Sequence, residues 1–162
     1  MLLKMKNSIK TGLGFGLTSG IITTIGLMIG LYAGTKSIAV IVGGIFVIAI
    51  ADSLSDAMGI HMVTEVDRKN SHRQIWESTI STFLFKLIST LSFIIPFLFL
   101  QVSTAIIVGI VWGVTLISVF SYYIAISKKK SPYRTIAEHL FITFIVIILT
   151  YHLGKIINAY FS

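Results

Sequence analysis

The chain contains no cysteine and only two prolines. Without thiols there is no disulfide framework and no thiolate metal site, and nothing marks a redox compartment. Charge is also scarce: 12% of the 162 residues are Asp, Glu, Lys or Arg, and only six are acidic. A soluble domain carries charge on about a quarter of its residues. That coat is missing, and 55% of the chain is hydrophobic, with a mean hydropathy of +0.92. The composition predicts an all-α integral membrane protein forming a single transmembrane domain over residues 1–162. A signal-peptide cleavage site is lacking too. "MLLKMKNSIKTGLGFG" starts basic and turns apolar, but no small-residue site followed by a polar chain comes after it. The stretch is expected to lead into a retained first helix.

Five apolar runs are long enough to cross a hydrocarbon core of roughly 30 Å at about 1.5 Å per residue. They predict transmembrane helices over residues 12–34, 37–63, 79–100, 103–127 and 136–160. Lipid offers no partner for free backbone groups, so helices are the default. The joints are short except for a polar connection over residues 64–78, "TEVDRKNSHRQIWES". Pro132 marks a break before the fifth run.

The thirteen basic residues are distributed unevenly. Lys4, Lys6, Lys10, Arg68, Lys69, Arg73, Lys128, Lys129, Lys130 and Arg134 all fall on one side of a five-helix topology. Lys36 and Lys155 fall on the other, and Lys86 lies within the third run. This asymmetry predicts a cytoplasmic N-terminus and an outside C-terminus. The net charge of +7 therefore describes topology and contact with the lipid bilayer, not nucleic acid. A plasma membrane is the expected location.

The first helix carries two glycine series, Gly12, Gly16, Gly20 and Gly26, Gly30, Gly34. Small residues four apart let helix backbones approach closely in lipid. Tight packing, a dimer interface and a pore wall all remain open, and Thr18, Ser19, Thr23 and Thr24 add hydroxyls in mid-span.

The stretch "IADSLSDAMGIHM" places Asp52 and Asp56 at the end of a long uncharged run. Residues four apart differ by about 40° around a helix axis. Asp52 and Asp56 thus share a face, with Ser55 and Gly59 beside them, Met62 near it and His61 almost opposite. Asp52 is expected in the cytoplasmic third of the membrane and Asp56 near the inner headgroups. An ionised Asp at the bilayer centre costs on the order of 2.5–3.5 kcal/mol. The pair must be neutral, hydrated, bound to a cation or paired, and Lys86 is a candidate partner for Asp52. Carboxylate oxygens suit cations such as Mn²⁺ and Fe²⁺. Glu65 and Glu77, with Asp67 and His72, are candidates to attract cations at the cytoplasmic entrance. Glu138 and His139 open the last helix, where a carboxylate is favoured by the dipole.

"FGLTSGIITTIGLMIGLYAG", "IADSLSDAMGIHM" and "KSPYRTIAEHLFITFIVIILTYHLGKII" together resemble, in order, the first, second and last helices of the vacuolar iron transporter family. The resemblance implies a homodimeric five-helix transporter of divalent metal cations, Fe²⁺ or Mn²⁺, exported from the cytoplasm in exchange for protons. It implies no enzyme activity and no cofactor; the metal is the transported substrate. Carried over by position, Asp52 matches the family's acid on helix two. Ser19 stands where the family has an Asp, and Asp56 where it often has a Met. Asp52, Asp56, Ser19 and Met62 are then the metal candidates, with Thr23, Ser55 and Gly59 along the path. The fifteen-residue joint after helix two corresponds to short members lacking the cytoplasmic metal-binding domain.

Two other classes compete. A non-transporting scaffold or subunit of the same fold fits the loss of the acid at Ser19. A membrane enzyme using Asp52 and Asp56 fits less well. Phosphoalcohol transferases need an Asp-Gly/Ala-Arg stretch that is missing, and intramembrane aspartyl proteases carry their two Asp on different helices.

Overall fold

The computed structural model describes residues 6–161. Among these the elements are all helical: α1 (Asn7–Thr35), α2 (Ile38–Val66), α3 (His72–Ser92), α4 (Ile95–Phe99), α5 (Val102–Ser127) and α6 (Pro132–Phe161). The pieces α3 and α4 form one span, His72–Phe99. With α1, α2, α5 and α6 they give five helices long and apolar enough to cross a membrane. Phe46, Val47, Leu98 and Phe144 all point outward. An apolar exterior of this kind belongs in lipid, and the chain is a multi-pass membrane protein.

The third span is not the unbroken helix expected over residues 79–100. It breaks at Phe93 and Ile94, where the Phe93 N–H turns to the Thr90 carbonyl at 3.2 Å. The cause is Pro96, in the first turn of α4, which has no N–H to continue the ladder. Pro132 behaves as expected and starts α6, where a fixed φ suits the first turn.

The polar connection is shorter than the predicted residues 64–78. α2 runs on to Val66 and α3 starts at His72. Local chemistry sets both ends. Asn70 Nδ2 donates to the Thr64 carbonyl at 2.8 Å and closes α2. Ser71 caps α3: its hydroxyl accepts from the Gln74 N–H, and Gln74 Oε1 accepts from the Ser71 N–H at 2.8 Å. This is a capping box, which satisfies two otherwise free donors. At the other end of the chain α1 begins at Asn7, so Lys10 is helical. Lys4 lies outside the described residues.

α1 is the hub, packed against α2, α3, α5 and α6. Its two glycine series serve two neighbours. Gly12, Gly16 and Gly20 meet α3, where a Cβ on Gly16 would stand 2.6 Å from the Thr82 carbonyl oxygen. Gly26, Gly30 and Gly34 meet Val146, Thr150 and Gly154 of α6. Both series therefore do close packing inside one chain. The apolar core gathers Ile21, Ile25 and Met28 of α1 with Ile41, Ile45, Phe93, Phe97 and Ile117. α2 fully buries a single line, Ile41, Ile45, Ala49, Ser53 and Ala57, flanked by the half-buried Ile48, Asp52 and Asp56.

Candidate functional site: a buried lysine between two aspartates

Three helices bring one polar cluster together in mid-span. α2 supplies Asp52 and Asp56, α3 supplies Lys86 and α1 supplies Ser19. Asp52 is the midpoint of α2, and Lys86 is near the midpoint of the span His72–Phe99.

Lys86 is 1% exposed. Its stem runs past Gly20, where an added Cβ would stand 3.2 Å from Lys86 Cγ. Gly20 thus makes room for the lysine to cross from α3. The ammonium ends between the carboxylates. Nζ lies 2.5 Å from Asp52 Oδ2, and it pairs with and donates to Asp56 Oδ2. Ser19 completes the cluster: its hydroxyl accepts from Lys86 at 3.0 Å and donates to Asp56 at 2.6 Å.

Burying an ammonium costs several kcal/mol unless opposite charge and hydrogen bonds compensate it. Here two carboxylates face one ammonium, leaving a formal charge of −1. The two acids are not equivalent. The Asp52 side chain is 32% exposed and Asp56 21%. Asp56 carries hydrogen bonds from Ser19 and Lys86, whereas the Asp52 contact is ionic and lies outside hydrogen-bond alignment. The Ser53 hydroxyl, next in sequence to Asp52, is buried with no hydrogen-bond partner among the described residues. Asp52 and Ser53 are therefore the side with unused acceptor capacity.

The other sequence candidates fall elsewhere. Ser55 and Gly59 do not share the interior face with the two acids; both are exposed on the outer side of α2. Met62 is 58% exposed and stands apart from the cluster. Thr23 is half-buried on α1. Glu65 is exposed near the end of α2. Glu77 is held by Lys6 at 2.7 Å, Arg73 at 3.0 Å and the Ser8 hydroxyl at 2.7 Å, which ties the start of α3 to the start of α1.

His61 does not face away from the bundle as its angular position implied. Its Nδ1 pairs with the Thr79 hydroxyl at 2.9 Å, and its ring meets Trp76 edge-on. The reason is the position of α3. It packs along the line ending at Ser53 and Ala57, and His61 extends that line by one more turn. Asp52 and Asp56 reach α3 from the flank of the same line.

No protein-family model, curated protein or solved structure matches the chain. The polar groups of the cluster are all oxygens apart from the Lys86 nitrogen. Among the described residues no group of three or more His, Asp or Glu side chains is placed to hold a metal ion. Two carboxylates and the Ser19 hydroxyl are oxygen donors of the kind that suit hard or borderline cations, and the cation they hold here is the Lys86 ammonium.

Proposed function

We propose that this chain is a proton-coupled transporter of divalent metal cations, Fe²⁺ or Mn²⁺, moving them out of the cytoplasm. The observation that carries the reading is the pair Asp52 and Asp56 midway along a membrane-length helix, both converging on one buried cation. Intramembrane carboxylates are expensive and mark ion paths when they face the interior. In this reading the Lys86 ammonium is a resident cation. A metal ion enters from the Asp52 side and displaces it from the carboxylates. The metal then takes the two carboxylates that the ammonium held. When the metal leaves, the lysine returns to the carboxylates and closes the site.

The resemblance to the vacuolar iron transporter family supports the same reading. The family's helix-one acid is replaced by Ser19, and Ser19 donates to Asp56. Asp56 thus brings a carboxylate from α2 to the place of the missing acid. The proposed assembly is a homodimer in the plasma membrane, with the basic ends of the helices in the cytoplasm. The charge asymmetry of the loops supports that orientation.

One observation favours a second reading, a non-transporting scaffold of the same fold. Lys86 already forms ion pairs with both carboxylates, and no third acid or histidine joins them among the described residues. A flux experiment separates the two. Proteoliposomes loaded with a metal-quenched dye are expected to take up Mn²⁺ or Fe²⁺ with the wild-type chain. Asp52→Asn is expected to lose at least about tenfold of that rate. No flux in the wild type assigns the scaffold, and equal flux in both proteins removes Asp52 from the ion path.

A further inference from the structure

The basic end of the bundle holds a second feature, unconnected to the aspartate–lysine cluster. Between α1, α5 and α6 lies a cleft of about 500 Å³. Lys10 and Lys128 line it, together with Phe15, Phe120, Tyr123 and Gly14. We propose that this cleft binds one phospholipid with an anionic headgroup, the phosphate at Lys10 and Lys128 and an acyl chain along the aromatic wall.

The charge at the mouth is uncompensated. Of the six acids, Asp52 and Asp56 pair with Lys86, Glu77 with Lys6 and Arg73, and Glu138 with Arg134. None forms an ion pair with Lys10 or Lys128 among the described residues. Basic clefts between helices at a membrane surface are sites for anionic headgroups. The body of the cleft is apolar, with Phe120 buried and Phe15 and Tyr123 exposed beside it.

Depth selects a lipid over a free anion. The cleft runs along α1 from Lys10 to Thr18. Eight residues of helix span roughly 12 Å, most of the roughly 15 Å of one hydrocarbon leaflet. A soluble phosphate would occupy only the lysine mouth and leave the aromatic wall bare. Gly14 borders this open space: a Cβ added there would meet nothing within 4 Å, so a larger side chain has room to grow into the cleft.

The test uses the full chain in detergent, read by native mass spectrometry and by thermal melting. Phosphatidylglycerol, phosphatidylcholine and inorganic phosphate are titrated separately. One tightly held phosphatidylglycerol is expected, at least about tenfold preferred over phosphatidylcholine. Lys10→Gln with Lys128→Gln is expected to abolish the preference. Gly14→Leu fills the cleft from within and is expected to abolish the bound lipid without lowering the melting temperature in phosphatidylcholine. Equal retention of both lipids overturns the proposal. So does retention by Gly14→Leu, or stabilisation by inorganic phosphate equal to that by phosphatidylglycerol, which would make the site one for a free anion.

Discussion

Replacing Lys86 with methionine is expected to cost about 3–5 kcal/mol of stability, the range for removing one partner of a buried ion pair. Methionine keeps the apolar stem beside Gly20 and removes only the charge. Asp52 and Asp56 are then left one helical turn apart with no cation between them. Two like charges at that spacing repel, and partial burial between the helices penalises each of them. The loss should therefore come from the carboxylates, and that claim has its own check. Adding Asp52→Asn and Asp56→Asn to Lys86→Met removes the repulsion and is expected to recover most of the stability. The single acid variants should rank in a definite order. Asp56→Asn costs more than Asp52→Asn, because Asp56 is less exposed and holds hydrogen bonds to both Ser19 and Lys86. Denaturant titration of the detergent-solubilised protein measures all four. A Lys86→Met protein within about 1 kcal/mol of wild type would show that the cluster contributes little to the fold.

The parts of this cluster differ in how far the sequence revealed them. That Asp52 and Asp56 share a face follows from their spacing alone, and Lys86 as a partner for Asp52 follows from matching depth. The link between Asp56 and Ser19 does not, since it depends on how α1 crosses α2, and no local pattern encodes a crossing. The same gap explains His61. Its angle relative to Asp52 was right, but the position of α3 between them decides which residues meet. It also explains Ser55, which lies near the acids on a helical wheel and still faces outward.

The five spans were legible because a continuous apolar run of this length has few alternatives in a membrane. Their ends were less so. The polar run from Thr64 to Ser78 looked like a loop by composition, whereas hydrogen bonding extends helix through most of it. Ser71 and Gln74 carry the spacing of a capping box, the local signal for the true start of α3. Pro96 likewise marked the break between α3 and α4.

The glycines of α1 had three possible meanings from sequence, and the structure connects them to the cluster. Gly16 and Gly20 set the distance between α1 and α3, which is the distance Lys86 must span to reach Ser19.

Gly16→Ala is therefore expected to destabilise by about 1–3 kcal/mol, the range for overpacking a close contact. A new Cβ there would lie 2.6 Å from the Thr82 carbonyl oxygen, a backbone atom that no rotamer change can move. Gly154→Ala should cost a similar amount for the same reason, since its Cβ would strike the Gly30 carbonyl of α1. The two contacts lie on different interfaces with no shared partner, so the double variant should be close to additive, about 2–6 kcal/mol. Gly43→Ala and Gly59→Ala provide the comparison. Nothing lies within 4 Å of a Cβ at either position, and alanine is the better helix former by roughly 1 kcal/mol. These two should melt at or above the wild-type temperature. If all four variants melt alike, the glycines matter for helix propensity and not for backbone approach. If only Gly16→Ala and Gly154→Ala fall, α1 is held by two separate glycine contacts, and the one with α3 also holds Lys86 in place.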